Sequence, residues 1–171
     1  MLPALRILTS DDELAYNSFF AAGAERHPTL LRIAPSDVRA RPFSTEPNPE
    51  GCTVLAHDGE RWLGVGSLER ELWREKRRHV AWVLRMLVVE PNAGVGRAVL
   101  RELKRLALAM PGVEKLNLTV AAHNAAAVHL YVSEGFVVFA REPDAFRVAG
   151  GSGAKTSVEE LTMSWAVAHA G

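Results

Sequence analysis

Met86-Leu87-Val88-Val89-Glu90-Pro91-Asn92-Ala93-Gly94-Val95-Gly96-Arg97 carries the chain from an apolar strand, through a proline and two glycines, into a helix. Upstream, the run from Val80 to Val89 is apolar apart from Arg85, the pattern of a strand buried on both faces in the middle of a sheet. Downstream, Val99, Leu100, Leu103, Leu106, Ala107 and Met110 recur at helical spacing, with Arg101, Glu102, Lys104 and Arg105 outside that stripe. The start of a helix holds unpaired N–H groups and the positive end of a dipole, so a loop that lets a ligand approach it binds phosphate. Gly94 and Gly96 remove the side chains that would block the approach. Taken alone, a glycine pair before a helix is more often only a tight turn. A dinucleotide fold would need a longer glycine pattern after the first strand, with an acidic residue about 20 positions on, and the match is poor.

Around this segment the order of elements is readable. Leu5 to Leu8 is a short apolar run, and Ser10 with Glu13 three positions on is the capping arrangement that opens a first helix, running to about Glu25. Five prolines from Pro28 to Pro49 then break up the chain, with Ser36-Asp37 able to cap one short helix in a variable, lid-like stretch. Cys52 to Ala56 and Arg61 to Leu68 read as strands joined at Asp58-Gly59, a hairpin turn signal. Pro111-Gly112 stops the amphipathic helix, and Leu116, Leu118 and Val120 alternate as a further strand. A helix from about Asn124 to Ser133 ends at Gly135, strand six begins in Phe136 to Phe139, and a last strand runs from Val158 to Val167.

With 171 residues the chain is expected to form one domain, 1–171, around one core. Lys plus Arg equal Asp plus Glu at 20 each, so no global field draws the protein to nucleic acid or to an anionic membrane. Arg74, Lys76, Arg77 and Arg78 form the densest basic patch, read as a solvated connection between strands. The single cysteine, Cys52, excludes an internal disulfide and a cysteine-rich metal site and is expected to be a small core residue. With no signal-like start and no apolar run of about 18 residues, the expected address is cytoplasmic.

The glycine segment resembles the coenzyme-binding motif of the GNAT superfamily of N-acetyltransferases, an apolar strand and V-x-P step followed by a glycine-rich helix start. Val89-Glu90-Pro91 and Gly94-Val95-Gly96 match its two ends, although Pro91-Asn92-Ala93 runs straight into Gly94 where the family has three more residues. A second stretch, from Asn117 through Asn124 and Tyr131 to Gly135-Phe136, is similar to the family's N-x-x-A-x-x-L-Y and G-F pattern. The resemblance spans about Cys52 to Val148 and implies an α+β, GNAT-like three-layer α/β/α fold with a central mixed, mostly antiparallel sheet of six to seven strands.

The resemblance also implies acetyl-CoA as co-substrate, no metal, and direct acetyl transfer to a primary amine of a small molecule or protein. Backbone groups of Leu87, Val88 and Val89 would pair with the pantetheine arm, and the N–H groups of Gly94, Val95, Gly96 and Arg97 with the pyrophosphate. Asn124 and Tyr131 lie two helical turns apart, on one face and about 10 Å from each other. Asn124 would hydrogen-bond the pantetheine arm, and Tyr131 would protonate the departing thiolate as general acid. The family's usual general-base positions hold Val83 and Arg85 here, which leaves His79, Glu69 or Glu71, and Glu90 as substitutes, with His79 and Glu69 ranked first. Expected partners are an amine acceptor and, given Trp165 and Val167 near the C-terminus, a second copy in a homodimer. The alternative is the same fold with an eroded coenzyme loop, acting as a binding or sensor module.

Overall fold

β4 (Val80–Val88) is the middle strand of a seven-stranded sheet ordered β1-β2-β3-β4-β5-β7-β6. The flanking strands are β1 (Ala4–Ile7), β2 (Gly51–His57), β3 (Trp62–Arg70), β5 (Lys115–Ala121), β6 (Val137–Ala149) and β7 (Lys155–Ala166). The structure, a computed structural model, describes residues 3–27, 50–91, 93–149 and 155–167. The proline-rich stretch with Ser36-Asp37, Asn92, and the glycines at 150–153 lie outside them. Each ladder is antiparallel except β4 on β5, whose parallel pairing needs a crossover. α2 (Val95–Ala109) supplies it.

The apolar stripe expected of α2 is buried: Val99, Leu100, Leu103 and Ala107 press onto Val54, Leu68, Val83, Leu116, Leu118 and Met163 of the sheet. On the other face, Tyr16 and Phe20 of α1 (Glu13–Arg26) cover Leu55, Val65 and Leu87. Helices on both faces of a mixed sheet make the three layers, and removing each fully buried Leu from water stabilises the fold by roughly 1.5–3 kcal/mol. α3 (Ala125–Ser133) ends at Glu134, and Gly135 follows at φ +89°, as its left-handed role requires.

Several boundaries differ from the sequence reading, each for a local reason. The first helix is opened by Thr9 and Asp12 rather than by Ser10 and Glu13. Thr9 leaves β1 extended, a single 3₁₀ turn follows at Ser10–Asp12, and the Asp12 carboxylate accepts from the Thr9 N–H at 2.8 Å. Arg6 grips the same carboxylate with two hydrogen bonds of 2.7 Å. At the β2–β3 turn Asp58 accepts from the N–H groups of Glu60 and Arg61, while Gly59 takes φ +107°. β4 is not buried evenly on both faces: Trp82, Leu84, Arg85 and Met86 are half-buried, because its neighbour β5 turns away. Val167 is buried and Trp165 packs on Phe136, so both serve the chain's own core.

Candidate functional site

β4 and β5 are paired only at Val80–Lys115, Ala81–Leu116 and Trp82–Asn117. Beyond Trp82, β4 stays on β3 as far as Val88–Gly64, and β5 stays on β7 as far as Ala121–Glu160. Two parallel neighbours therefore part, and among the described residues the edge of β4 facing the gap has no strand ladder on that side. A bulge sits where they part: Ser67 pairs Leu84 and Val65 pairs Leu87, so the one residue between them on β3, Gly66, faces two on β4, Arg85 and Met86. Arg85 takes φ +54° there, a costly region for a non-glycine residue. Opposite, Gly66 makes room, since any Cβ on it would press on Met86, Val99 and Leu103.

The open end of the gap is closed by the start of α2. Gly94 caps it at φ +79°, and the first helical bond runs from the Ala98 N–H to the Gly94 carbonyl at 3.0 Å. By helix geometry the N–H groups of Val95, Gly96 and Arg97 have no acceptor within the helix, and Gly94 brings no side chain to cap them. A Cβ at Gly96 would stand 3.3 Å from Leu130 of α3 and 3.6 Å from Val88 of β4, so the missing side chain keeps the crevice between them open. Leu87, Val88 and Val89 in turn line a pocket of about 200 Å³ with Phe19, Gly23 and Trp62.

A model of the Acetyltransferase (GNAT) family matches residues 15–136. The chain belongs to the GNAT acetyltransferase family. Its fold is that of an acetyltransferase of the GNAT family from Streptococcus pneumoniae, at a TM-score of 0.81 and 19% identity over 96% of this chain and 99% of that one. It is also similar to Arabidopsis thaliana NAA60, solved in complex with acetyl-CoA (TM-score 0.71, 15% identity, 96% and 98% covered). A third similar structure is the ribosomal-protein-S18-alanine N-acetyltransferase from Escherichia coli (TM-score 0.67, 20% identity, 99% and 97% covered). No curated protein sequence matches the chain.

Within this GNAT domain the remaining expected residues fall into two groups. Asn124 caps α3, its side-chain oxygen accepting from the Ala127 N–H at 3.2 Å, which leaves the amide nitrogen as its end for other partners. Tyr131 is 5% exposed and packs on Phe136 at 6.0 Å between ring centres. Burial pushes its phenol up to about 12, so it stays protonated at neutral pH. Arg97 turns its side chain away from the helix start, onto Glu134 and the Ser133 hydroxyl.

The two residues ranked first as bases lie on the other half of the groove. Glu69, across the β3–β4 ladder from Trp82, is ion-paired with Arg85 of the bulge, whose Nε also reaches the Ser67 hydroxyl at 3.4 Å. His79 is exposed just before β4, where its carbonyl accepts from Glu114 and Lys115. Neither lines the pocket at Leu87–Val89. Cys52 is buried on β2 and its thiol is pushed up to about 11 by burial, which makes it inert as a nucleophile.

Three features of the site escaped the sequence reading: the Arg85 bulge, the buried Asn117 and the role of Glu134. Gly64 and Gly66 inside β3 were the available signal for the first, since glycine within a strand marks a bulge or a close approach. Glu134 had no such signal. Its side chain is 6% exposed and gathers Arg97, Arg101 at 3.0 Å and Lys104 at 4.0 Å. Burial opposes its ionisation, but hydrogen bonds from Arg101 and Arg97 outweigh that and hold the carboxyl below its ordinary range.

Proposed function

We propose that this protein is an acetyl-CoA-dependent N-acetyltransferase that moves the acetyl group directly onto a primary amine of a small molecule or a protein. The observation that carries the reading is the parting of β4 from β5 ahead of a helix start whose Gly96 leaves the crevice open. The coenzyme brings an activated thioester; the chain's residues bind, orient and manage protons. The strand edge after the bulge, at Leu87 to Val89, offers backbone groups to an extended arm. The N–H groups of Val95, Gly96 and Arg97 suit a pyrophosphate, and the Asn124 amide nitrogen suits a carbonyl of the arm.

Tyr131 holds a proton for the departing sulfur. A phenol raised to about 12 stays protonated in the resting protein, so its O–H is available to a developing thiolate. Of the two carboxylate and imidazole substitutes, Glu69 lies beside the bulge and suits the reception of the amine's N–H, with Arg85 fixing its position. His79, at the far end of β4, suits a role in relaying protons to solvent. A cytoplasmic setting agrees with a lone, buried, unreactive thiol.

The second reading, a binding or sensor module, is favoured by the way Glu134 occupies Arg97, which takes away one charge that would compensate for the short loop. Calorimetry with acetyl-CoA separates the two. Binding in the micromolar range together with thiol release over a panel of amines is expected. Gly96→Arg is expected to abolish binding with little loss of folding stability. No detectable binding at millimolar coenzyme would overturn the enzyme reading.

A further inference from the structure

The half of β4 opposite the coenzyme end borders a second, wider pocket of about 510 Å³. Among the described residues its lining includes the cations Lys76, Arg77 and Lys115 with the aromatic rings of Trp82 and Phe139, and no carboxylate. Arg77 lies 5.9 Å from the Trp82 ring centre and 3.6 Å from Glu71, and Lys115 lies 5.1 Å from the Phe139 ring centre. Asn117 on the same wall is only 3% exposed, yet its Oδ1 has no hydrogen-bond partner among the described residues. A buried acceptor without a donor is costly, so it points to a ligand that brings an N–H or O–H. The pocket therefore asks for an anionic group and a hydrogen-bond donor on one molecule, beside apolar surface.

The distance along β4 selects among molecules of that kind. Trp82 pairs with Glu69, and the bulge lies opposite Gly66 and Val65, three to four residues along β3, about 10–13 Å at 3.3 Å per residue. A free amino acid covers about one residue length, roughly 3.6 Å, whereas an extended peptide covers the distance with three to four residues. This inference rests on the acetyltransferase reading, which puts the reacting amine at the bulge, where Glu69 meets Arg85. We propose that the acceptor is a peptide or protein N-terminus with a free α-amine and a carboxylate or phosphate three to four residues along, at its fourth or fifth position. That anionic group settles among Lys76, Arg77 and Lys115, and a peptide N–H reaches Asn117.

Free-amine heptapeptides differing only at positions four and five, carrying Asp, phosphoserine, Asn or Lys, test this by calorimetry with the full chain and no coenzyme. At least about tenfold tighter binding of the Asp or phosphoserine peptides than of the Asn peptide is expected, and the better of the two identifies the anion. Lys115→Glu and Lys76→Glu, checked for unchanged melting, are each expected to erase that gap without altering acetyl-CoA affinity. Equal binding of acidic, neutral and basic peptides would overturn the proposal, as would a gap that survives both substitutions. Preference for free amino acids, or displacement of the peptide by a tighter-binding oligonucleotide, would also overturn it. Acidic-peptide binding of the expected pattern without acetyl transfer would keep the anion pocket but overturn both the enzyme reading and the peptide's place as acceptor; transfer to amines indifferent to charge would keep the enzyme reading and overturn this inference.

Discussion

Tyr131 shows how a single side chain can be held ready by its surroundings. Its phenol is enclosed by the core around Phe136, and burial alone raises it to about 12. Tyr131→Phe removes one oxygen and leaves the packing ring. The expected outcome is a kcat lowered by about 10²-fold, with acetyl-CoA affinity within about twofold of the parent and melting little changed. An unchanged kcat would reduce the residue to packing. Arg85 is a different case: its φ of +54° is tolerated because Ser67 and Glu69 hold the guanidinium and Gly66 clears space across the ladder.

At the scale of elements, α2 and α3 are joined through one carboxylate. Glu134 sits at the end of α3 and draws Arg97, Arg101 and Lys104 from successive turns of α2, with Lys104 also donating to its backbone carbonyl at 2.8 Å. Lys104 covers the Trp165 ring at 4.3 Å, which extends the contact to β7. Glu134→Ala is expected to cost about 1–3 kcal/mol in urea unfolding, since the released guanidiniums on the surface regain water. Glu134→Gln should recover part of that loss, because the amide oxygen still accepts.

For the whole molecule, the groups that shift on folding set the pH range of stability. Asp12 lies at about 2 against an ordinary 3.8, first because Arg6 hydrogen-bonds it. A lowered carboxylate contributes stability that is present above its unfolded value and lost as pH falls through the folded one. Cys52 at about 11 and Tyr131 at about 12 are raised by burial, so their contribution is present below the unfolded values and lost as pH rises. Asp58 and Asp144, also near 2 but on the surface, add little. Melting temperature is therefore expected to be flat from about pH 5 to 8, to fall between about pH 4 and 2, and to fall again from about pH 9 to 12. Cys52→Ala should shift the alkaline fall upward; an unmoved profile would remove that thiol from the account.

Sequence alone determined the elements and their family, because these follow from local patterns. The stripe from Val99 to Ala107, the Asp58-Gly59 turn and Gly135 after α3 each express period or backbone freedom within a few residues. The cap of α1 was legible to within one residue, since Thr9 and Ser10 differ only in where β1 releases the chain. Tertiary structure alone decided the rest. The parting of β4 from β5 depends on β5 preferring β7, a choice no residue of β4 encodes. The partnership of Glu134 with three cations of α2 joins residues more than a helix apart, as does the gathering of Lys76, Lys115 and Asn117 around one pocket. Such contacts form only when separate elements pack, so the free energy that selects them is not written in any one segment.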